Sequence, residues 1–401
     1  MIRPIALAAA LLASGAAQAQ PDPADWPAVL AEAQGQTVYW NAWGGDPLIN
    51  AYIDWAAGEA AARFGVQVEH VKLADTATAV ATVLAEKAAG RDEGGSIDLI
   101  WINGPNFASM KAADLLFGPF AESLPNWSLL DPEGNPALTS DFTIPTDGFE
   151  APWSMAQVVF IHDAARTPEP PRTMSALADY AAANPGRVTF PQPPDFLGTT
   201  FLKQALIELT GSDPALYAPA DEADYDAVTA PLWAWLEGLT PNLWRQGRAY
   251  PANGPAQRQL LADGEIDLAI SFSPGEASAA IASFELPETA RTYTLGGGTL
   301  GNASFLAIPY NASAKAGAMV LANFLLSPEA QARKLDPAHM GSPTVLDVAR
   351  LSPDERALFE AIDLGPATLT PAELGPPLPE PHPSWMERIA ADWEARHGVA
   401  R

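Results

Sequence analysis

Apolar positions follow two different spacings in the first hundred residues, and they predict a succession of strands and helices. Residues 37–40 and 66–71 have the short apolar runs of strands, and residues 97–102 ("IDLIWI") form a nearly continuous one. Apolar side chains recur every three or four residues over 49–64 and again over 79–89, which is the spacing of a helix face. Buried-type strands that alternate with helices are typical of a parallel sheet covered on both faces.

The same alternation resumes beyond Trp153. The predicted strands are residues 157–161, 188–190, 266–271 and 304–308, and the predicted helices are residues 174–183, 199–210, 256–262, 315–326 and 385–397. A Pro- and Trp-rich stretch before residue 256 predicts irregular structure, although Trp233 and Trp235 follow a helical pattern together with their apolar neighbours, and both are expected in the core. The fold class is therefore expected to be α/β, with two lobes.

The chain is expected to cross between the lobes near residues 150–157 and to return near 298–304. This divides it in four: a signal peptide (1–19), a first part of lobe 1 (20–152), lobe 2 (153–298), and a return to lobe 1 with C-terminal helices and a Pro-rich tail (299–401). Ligands of such sheets bind beyond the carboxyl ends of the strands, so a central cleft is expected.

The first 19 residues have the features of a cleaved secretory signal peptide. Arg3 supplies positive charge, residues 5–12 an apolar core too short to span a bilayer, and residues 17–19 the small residues of a cleavage site. The chain has no cysteine, which excludes thiolate metal sites, disulfides and the lipid-bearing cysteine of a lipoprotein. A protein of the Gram-negative periplasm, not inserted in the membrane, is expected.

The chain is strongly acidic. It has 48 acidic against 22 basic residues, a net charge of −26, which disfavours nucleic acid and anionic lipid as partners. Such a field attracts a cationic ligand. Solubility or adaptation to salt explains the same charge without any ligand.

Most enzyme motifs are missing from the sequence. There is no HExxH, no P-loop and no G-x-S-x-G, and the five histidines are scattered singly, so no metal or cofactor is expected. Gly296, Gly298 and Gly301 match G-x-G-x-x-G but precede a strand, the wrong order for a dinucleotide site, and a flexible joint explains them better. A carboxylate pair for glycoside hydrolysis is set in space, so an exported carbohydrate-active hydrolase stays an alternative.

Four segments carry a resemblance to a known family. They are GQTVYWNAWGGDPLINAYIDWAA, GGSIDLIWINGPNFASMKAADLL, PQPPDFLGTTFL, and GNASFLAIP with ANFLLSPEAQ. Together they resemble the extracellular solute-binding proteins of ABC importers, most closely the YnjB-type branch, over nearly the whole mature chain. The resemblance implies a type II periplasmic binding protein fold, in which two lobes joined by two or three strands close over one ligand and dock on a membrane permease.

Candidate ligand-binding residues of the first lobe follow its strands. Trp40 is expected in the core, whereas Asn41 and Trp43 are expected past the strand end, where two glycines let a ligand approach the backbone. Trp43 would stack on a planar ring or hold a cation over its face, unless it only packs against a lobe. Asn103 and Asn106 follow the next strand, where capping of a helix is the alternative role.

Candidates of the second lobe lie in two loops. Asp195, Phe196 and Thr199 stand at a helix start, whose amides could receive a carboxylate or phosphate, whereas Asp195 could instead pair with a cation. Phe272 and Ser273 leave a predicted strand, and a simple turn is the alternative there.

Two more candidates lie where the chain crosses between the lobes. Trp153 is expected to form a hinge wall or a ligand platform, and Asn302 to reach the ligand or only to bond the neighbouring strand.

The expected function is a monomeric periplasmic receptor that delivers a small polar organic solute to an ABC permease and its ATPase. Aromatic rings, amides and the acidic field favour a cationic or zwitterionic solute, thiamine-like or polyamine-like, since the first segment also resembles receptors of those types. Binding for sensing without transport is a further alternative.

Overall fold

The computed structural model describes residues 20–398, so the predicted signal peptide lies outside the described residues. Its strands are β1 (Thr37–Trp43), β2 (Gln67–Leu73), β3 (Leu99–Ile102), β4 (Ser140–Asp141), β5 (Ile144–Pro145), β6 (Glu150–Gln157), β7 (Val159–Asp163), β8 (Leu268–Ser271), β9 (Ala290–Tyr293) and β10 (Gly301–Ala307). Its α-helices are α1 (Trp26–Ala33), α2 (Pro47–Phe64), α3 (Ala77–Ala88), α4 (Pro105–Ala112), α5 (Met174–Ala183), α6 (Phe196–Thr210), α7 (Tyr225–Leu239), α8 (Gly254–Ala262), α9 (Glu276–Ala282), α10 (Lys315–Leu325), α11 (Pro328–Leu335), α12 (Pro353–Glu360), α13 (Pro371–Leu374) and α14 (Pro383–His397).

The first lobe is built on a sheet with the strand order β2-β1-β3-β10-β6 within the described residues. β1 pairs in parallel with β2 and β3, whereas β10 is antiparallel to both β3 and β6. The expected parallel sheet is thus a mixed one, because β10 returns from the other lobe. Val38 and Trp40 lie in one buried core with α2 and α10, and Ile100 and Phe305 lie in another core on the opposite face.

The start of α2 follows directly from the sequence Asp-Pro. The Asp46 carboxylate accepts from the amide of Leu48 at 2.8 Å, and Pro47 occupies the first turn, where a missing N–H costs nothing. Gly65 ends the helix at φ 67°, a conformation that glycine adopts without strain. These local signals orient α2 immediately behind the end of β1.

The second lobe has a smaller sheet with the order β8-β7-β9, in which β7 is antiparallel to both neighbours. The predicted strand at 188–190 is wrong. The carbonyl of Val188 accepts from Trp244 N, and that of Thr189 accepts from the side chain of Gln257, so loop and side-chain donors replace a strand ladder.

The Pro- and Trp-rich stretch contains α7, so the prediction of irregular structure there was incomplete. Pro231 lies inside this helix. Trp233 is buried in the second-lobe core, and Trp235 packs against that core and donates from Nε1 to the carbonyl of Met174 at 3.0 Å. The helical pattern that the two tryptophans form with their apolar neighbours predicted this region better than the prolines did.

The lobes are connected at two strands and by the C-terminal tail. β6 leads directly into β7, and the chain returns through Gly298, at φ 91°, into β10, so the predicted boundary at residue 153 falls inside β6. The tail departs from the predicted division, because Trp385 and Trp393 of α14 are buried in the core of the second lobe and not of the first. Among the described residues, no helix is both long and apolar enough to span a membrane.

Candidate ligand-binding site

The end of β1 differs from the sequence expectation in its length. The strand continues to Trp43, so Asn41 lies inside it and is buried, only 4% exposed. Trp43 is its last residue and is half-buried. Its indole lies over Gly45, where an added Cβ would stand 2.3 Å from the ring. The glycine therefore makes room for this tryptophan rather than for a ligand.

An ion cluster joins the loop after β1 to the second lobe. Arg258 of α8 pairs with Glu276 at 2.6 Å and with Glu285 at 3.0 Å, both in its own lobe. Its Nη2 also lies 3.5 Å from Oδ2 of Asp46, the carboxylate that caps α2 in the first lobe. We call these four residues the Arg258 cluster. It brings three carboxylates around one guanidinium where the lobes meet.

The turn after β3 is held by a carboxylate from a distant hairpin. Gly104 is the N-cap of α4, with φ 58°, and its N–H donates to Oδ2 of Asp141 at 2.6 Å. The ring of Phe142 covers Gly104, where a Cβ would lie 2.8 Å from Cζ. Asn103 and Asn106 are half-buried beside this contact, and neither side chain caps α4.

The side chain of Asp195 caps the start of α6, where the sequence suggested that free amides could bind a carboxylate or phosphate. Its Oδ1 accepts from the amides of Leu197 at 3.0 Å and Gly198 at 3.2 Å, so these donors are already used. Thr199 is buried and donates from Oγ1 to the Asp195 carbonyl at 3.1 Å. Burial raises the pKa of Asp195 to about 6, and Asp75 of the first lobe adds to the rise. A carboxylate or phosphate therefore finds no receptor at this helix end.

Phe196 and Phe272 do come together. Their rings meet edge to face with centroids 5.6 Å apart. Ser273 donates from Oγ to the carbonyl of Gly341 at 3.1 Å, a contact from the second lobe to a segment beside the first-lobe core. The two predicted second-lobe loops thus form one aromatic surface near the boundary between the lobes.

Four buried polar residues meet at the junction of the lobes, and we call them the Lys203 cluster: Asp141, Lys203, Asn302 and Glu380. Lys203 Nζ lies 2.6 Å from Glu380 Oε2, and Asn302 donates from Nδ2 to Glu380 Oε1 at 2.9 Å. The Lys203 ammonium also lies 4.4 Å from the ring centroid of Phe142 and 5.5 Å from that of Phe196. The cluster therefore links the hairpin of the first lobe, the returning strand, α6 and the tail.

Asp141 is the cluster member whose charge is least compensated. Burial raises its pKa to about 8, and the charge of Glu380 adds to the rise, whereas the Gly104 N–H and Lys203 oppose it. Burial likewise raises the pKa of Glu150 on strand β6, and the charge of Asp141 adds to that rise. No group of three potential metal ligands converges among residues 20–398.

Trp153 does not meet the expectation of a ligand platform. It is fully buried, with Trp101 at 4.9 Å and Trp40 at 5.6 Å between ring centroids. Its carbonyl accepts from the side chains of Gln331 and Lys334. Trp153 and Trp40 are therefore core residues of the first lobe, as predicted for Trp40 alone.

Sequence reasoning missed Asp141, Phe142, Lys203, Arg258 and Glu380. They come from separate segments, so no spacing along the chain relates them. One signal was present: Lys203 interrupts the otherwise largely apolar face of α6, whose residues from Gly198 to Ile207 are all buried. A lysine is rarely fully buried unless it is paired, so its place in this segment would have indicated a partner, though not its identity.

Comparison with known sequences decides the class of protein. A family model described as "Bacterial extracellular solute-binding protein" matches residues 55–358. Protein YnjB of Escherichia coli (strain K12) is 45% identical over 375 residues, which cover 94% of each chain. This chain belongs to the bacterial extracellular solute-binding proteins. The predicted resemblance, including its YnjB-type branch, is confirmed.

Solved structures of periplasmic solute-binding proteins share the fold. AfuA of Actinobacillus pleuropneumoniae, with exogenous fructose-6-phosphate bound, is 17% identical and superposes with a TM-score of 0.61, over 91% of this chain and 99% of that one. PotD of Streptococcus pneumoniae, a spermidine/putrescine substrate-binding protein, is 16% identical with a TM-score of 0.60, over 90% and 98%. The predicted type II periplasmic binding protein fold is confirmed.

The solute-binding family fixes the general role of the chain. Its members and the similar structures are binding proteins of ABC importers and not enzymes, and they act outside the cytoplasmic membrane. The hydrolase alternative is not favoured by these relatives.

Proposed function

We propose that this solute-binding protein captures a small organic cation or zwitterion between its lobes and delivers it to an ABC permease and its ATPase. The observation that supports the solute class is an excess of carboxylates where the lobes meet. Arg258 is surrounded by three carboxylates, and Lys203 is paired with Glu380. Asp195 of the second lobe is close enough to Asp75 of the first for the charge of Asp75 to raise its pKa. Such a field raises the local concentration of cations.

Aromatic rings near these carboxylates suit the same solute. Trp43, Phe196 and Phe272 are half-buried and lie at loops on the two sides of the boundary. A cation over an aromatic face gains ~0.5–2 kcal/mol, more when water is excluded. Asn103 and Asn106 beside Phe142 supply amide donors and acceptors for a polar group of the solute.

Closure of the lobes is the proposed mechanism. A solute that contacts both lobes binds the closed form more tightly and so shifts the population toward it. The contacts from Asp46 to Arg258 and from Ser273 to Gly341 span the two lobes and belong to the closed form. The solute adds to a set of interlobe contacts that the protein already makes.

The fold by itself does not select the solute. PotD is described as a spermidine/putrescine protein, whereas AfuA holds fructose-6-phosphate, an anion, on the same fold. The preference for a cation in this chain therefore depends on its own side chains at the boundary.

The test is native mass spectrometry of protein purified from its host periplasm, followed by thermal shift and titration with the released solute. We expect a stoichiometric solute of positive or zwitterionic charge, a raised melting temperature and an intact compound after prolonged incubation. Conversion of the compound would support the hydrolase alternative. An anionic solute would contradict the proposed class. Uptake of labelled solute that depends on a partner permease separates transport from sensing.

A further inference from the structure

Acceptor oxygens without a hydrogen-bond partner gather at the Lys203 cluster. Within residues 20–398, Asp141 Oδ1 and Asn302 Oδ1 are buried and accept no hydrogen bond. Asp141 is 0% and Asn302 4% exposed. A buried polar atom without a partner costs ~1–3 kcal/mol, so such atoms mark either a strained place or a missing partner.

The orientation of both side chains is fixed by their other contacts. Asp141 uses Oδ2 to accept from the Gly104 amide at 2.6 Å, which leaves Oδ1 free. A carboxylate oxygen only accepts hydrogen bonds, so the nitrogen of Asn302 must point at Glu380 and its oxygen must point away. The atoms left over are therefore oxygens, and once Asp141 is ionised the group that completes them must be a donor.

The charge balance of the cluster points the same way. Lys203 neutralises Glu380 at 2.6 Å, whereas Asp141 has no counter-ion within hydrogen-bonding distance. Asp141 is contributed by the first lobe, Glu380 by the tail on the second, and Asn302 by the strand that returns between them. A cation held there would lie between two residues of the first lobe and the Lys203–Glu380 pair on the second.

We infer that Asp141 and Asn302 form the subsite for the cationic end of the solute, and that this end carries N–H donors, as a primary ammonium, amidinium or guanidinium does. A quaternary ammonium has the same charge but no donor, so it leaves both oxygens without a partner. This inference rests on the proposed function, since it specifies the solute of that receptor. It also assigns Phe142, whose ring lies between Gly104 and the Lys203 ammonium, to the wall of the subsite.

The test compares matched probes on the full-length mature protein by titration calorimetry. Putrescine and its fully N-methylated bis-quaternary analogue have the same chain and charge but differ in N–H groups. We expect putrescine, or the N–H cation that co-purifies, to bind at least tenfold more tightly than its quaternary analogue. Asp141→Asn, which keeps an acceptor for Gly104 but presents an NH₂ group to the solute, is expected to weaken that binding at least tenfold.

A matched control separates binding from folding. In the native protein, Asn302 and Asn311 each donate from Nδ2 to a glutamate, and the Oδ1 of each accepts no hydrogen bond. Asn311 bonds to Glu86 at 2.9 Å in the first lobe, so Asn311→Ala is the matched control for Asn302→Ala. Both variants should lose similar stability, but only Asn302→Ala should lose affinity.

Three results would overturn the inference: equal binding of the quaternary analogue, unchanged affinity of Asp141→Asn, or a co-purified solute without an N–H cation. Failure of every solute to bind would instead contradict the proposed receptor.

Discussion

The two ion clusters that join the lobes differ in burial and in charge balance. In the Arg258 cluster the guanidinium is 12% exposed and its contact to Asp46 is long, at 3.5 Å, while two other carboxylates hold it from its own side. In the Lys203 cluster the ammonium and Glu380 are 0% and 1% exposed and lie 2.6 Å apart. The contact between Asp46 and Arg258 can break at small cost, because water and the remaining carboxylates replace Asp46. The contact between Lys203 and Glu380 cannot, because both groups are buried.

This difference suggests separate roles for the two clusters. A weak contact between two groups that are each fixed in their own lobe suits a reversible closure. A buried pair that connects the tail to α6 suits a permanent joint. Neither charge reaches water when the pair breaks, so breaking it is costly. The following predictions test that contrast, beginning with the largest effect.

Lys203→Met should destabilise the protein most, because it leaves Glu380 buried without its counter-ion. The expected loss in the free energy of unfolding is about 3–5 kcal/mol, measured by urea denaturation. Glu329→Gln, which breaks the exposed pair with Arg63, should cost less than about 1 kcal/mol. Equal losses for the two variants would remove the special position of the Lys203 cluster.

Asp141→Asn should stabilise the protein without solute at pH 8, although it weakens the binding of the solute. The pKa of Asp141 is raised in the folded state to about 8. Its protonated carboxyl therefore contributes fully to the free energy of unfolding below the unfolded pKa near 4, and this contribution is lost as the pH rises toward 8. The variant should therefore lose less stability than the native chain between pH 5 and pH 8, by about 1 kcal/mol for each pH unit. Parallel pH profiles of unfolding would contradict the assignment.

Trp43→Ala should weaken solute binding by about tenfold, since an aromatic contact with a cation is worth ~0.5–2 kcal/mol. Trp127→Ala provides the comparison, because Trp127 is also half-buried in the first lobe but packs only against its core. Titration calorimetry and the melting temperature together decide the result. Unchanged affinity in a folded Trp43→Ala protein would assign Trp43 to packing over Gly45.

Asp46→Asn should have the smallest effect, a reduced closed fraction and a two- to fivefold loss of affinity, because a partly exposed pair contributes about 0.5–1 kcal/mol. Asparagine caps helices as well as aspartate does, so α2 should keep its start. Asp25→Asn at the cap of α1 is the matched control, since Asp25 accepts from Ala28 at 3.2 Å and α1 packs against α10 of the first lobe. Spin labels on one introduced cysteine in each lobe can report the distance, because the native chain has no cysteine.

The fold was largely predictable where local signals determine it. Thr173 caps α5, Asp46-Pro47 begins α2 and Gly211 ends α6 at φ 64°, and these ends were predicted within a few residues. The strand at 188–190 was not, because a strand needs a partner ladder and the neighbouring chain supplies single loop donors instead. Local pattern predicts an extended backbone but not what it pairs with.

The candidate site was predictable only in part. Phe196 and Phe272 were named from loops after strands and a helix start, and their rings do meet. Asp141, Lys203 and Glu380 were not named, since their meaning depends on which of the chain's many charges become neighbours on folding. Trp153 was expected at the cleft, but its ring packs against Trp40 and Trp101. The sequence does not tell whether a side chain on a crossing strand points to the cleft or to the core.

The last helix carries a consequence for biosynthesis. Because Trp385 and Trp393 of α14 lie in the interior of the second lobe, that interior is complete only when the last helix has been made. A product that stops before residue 383 leaves an open apolar surface around Phe190 and Tyr225, which contact these two rings. We therefore expect copies that lack this helix to be cleaved by proteases more readily than the full chain.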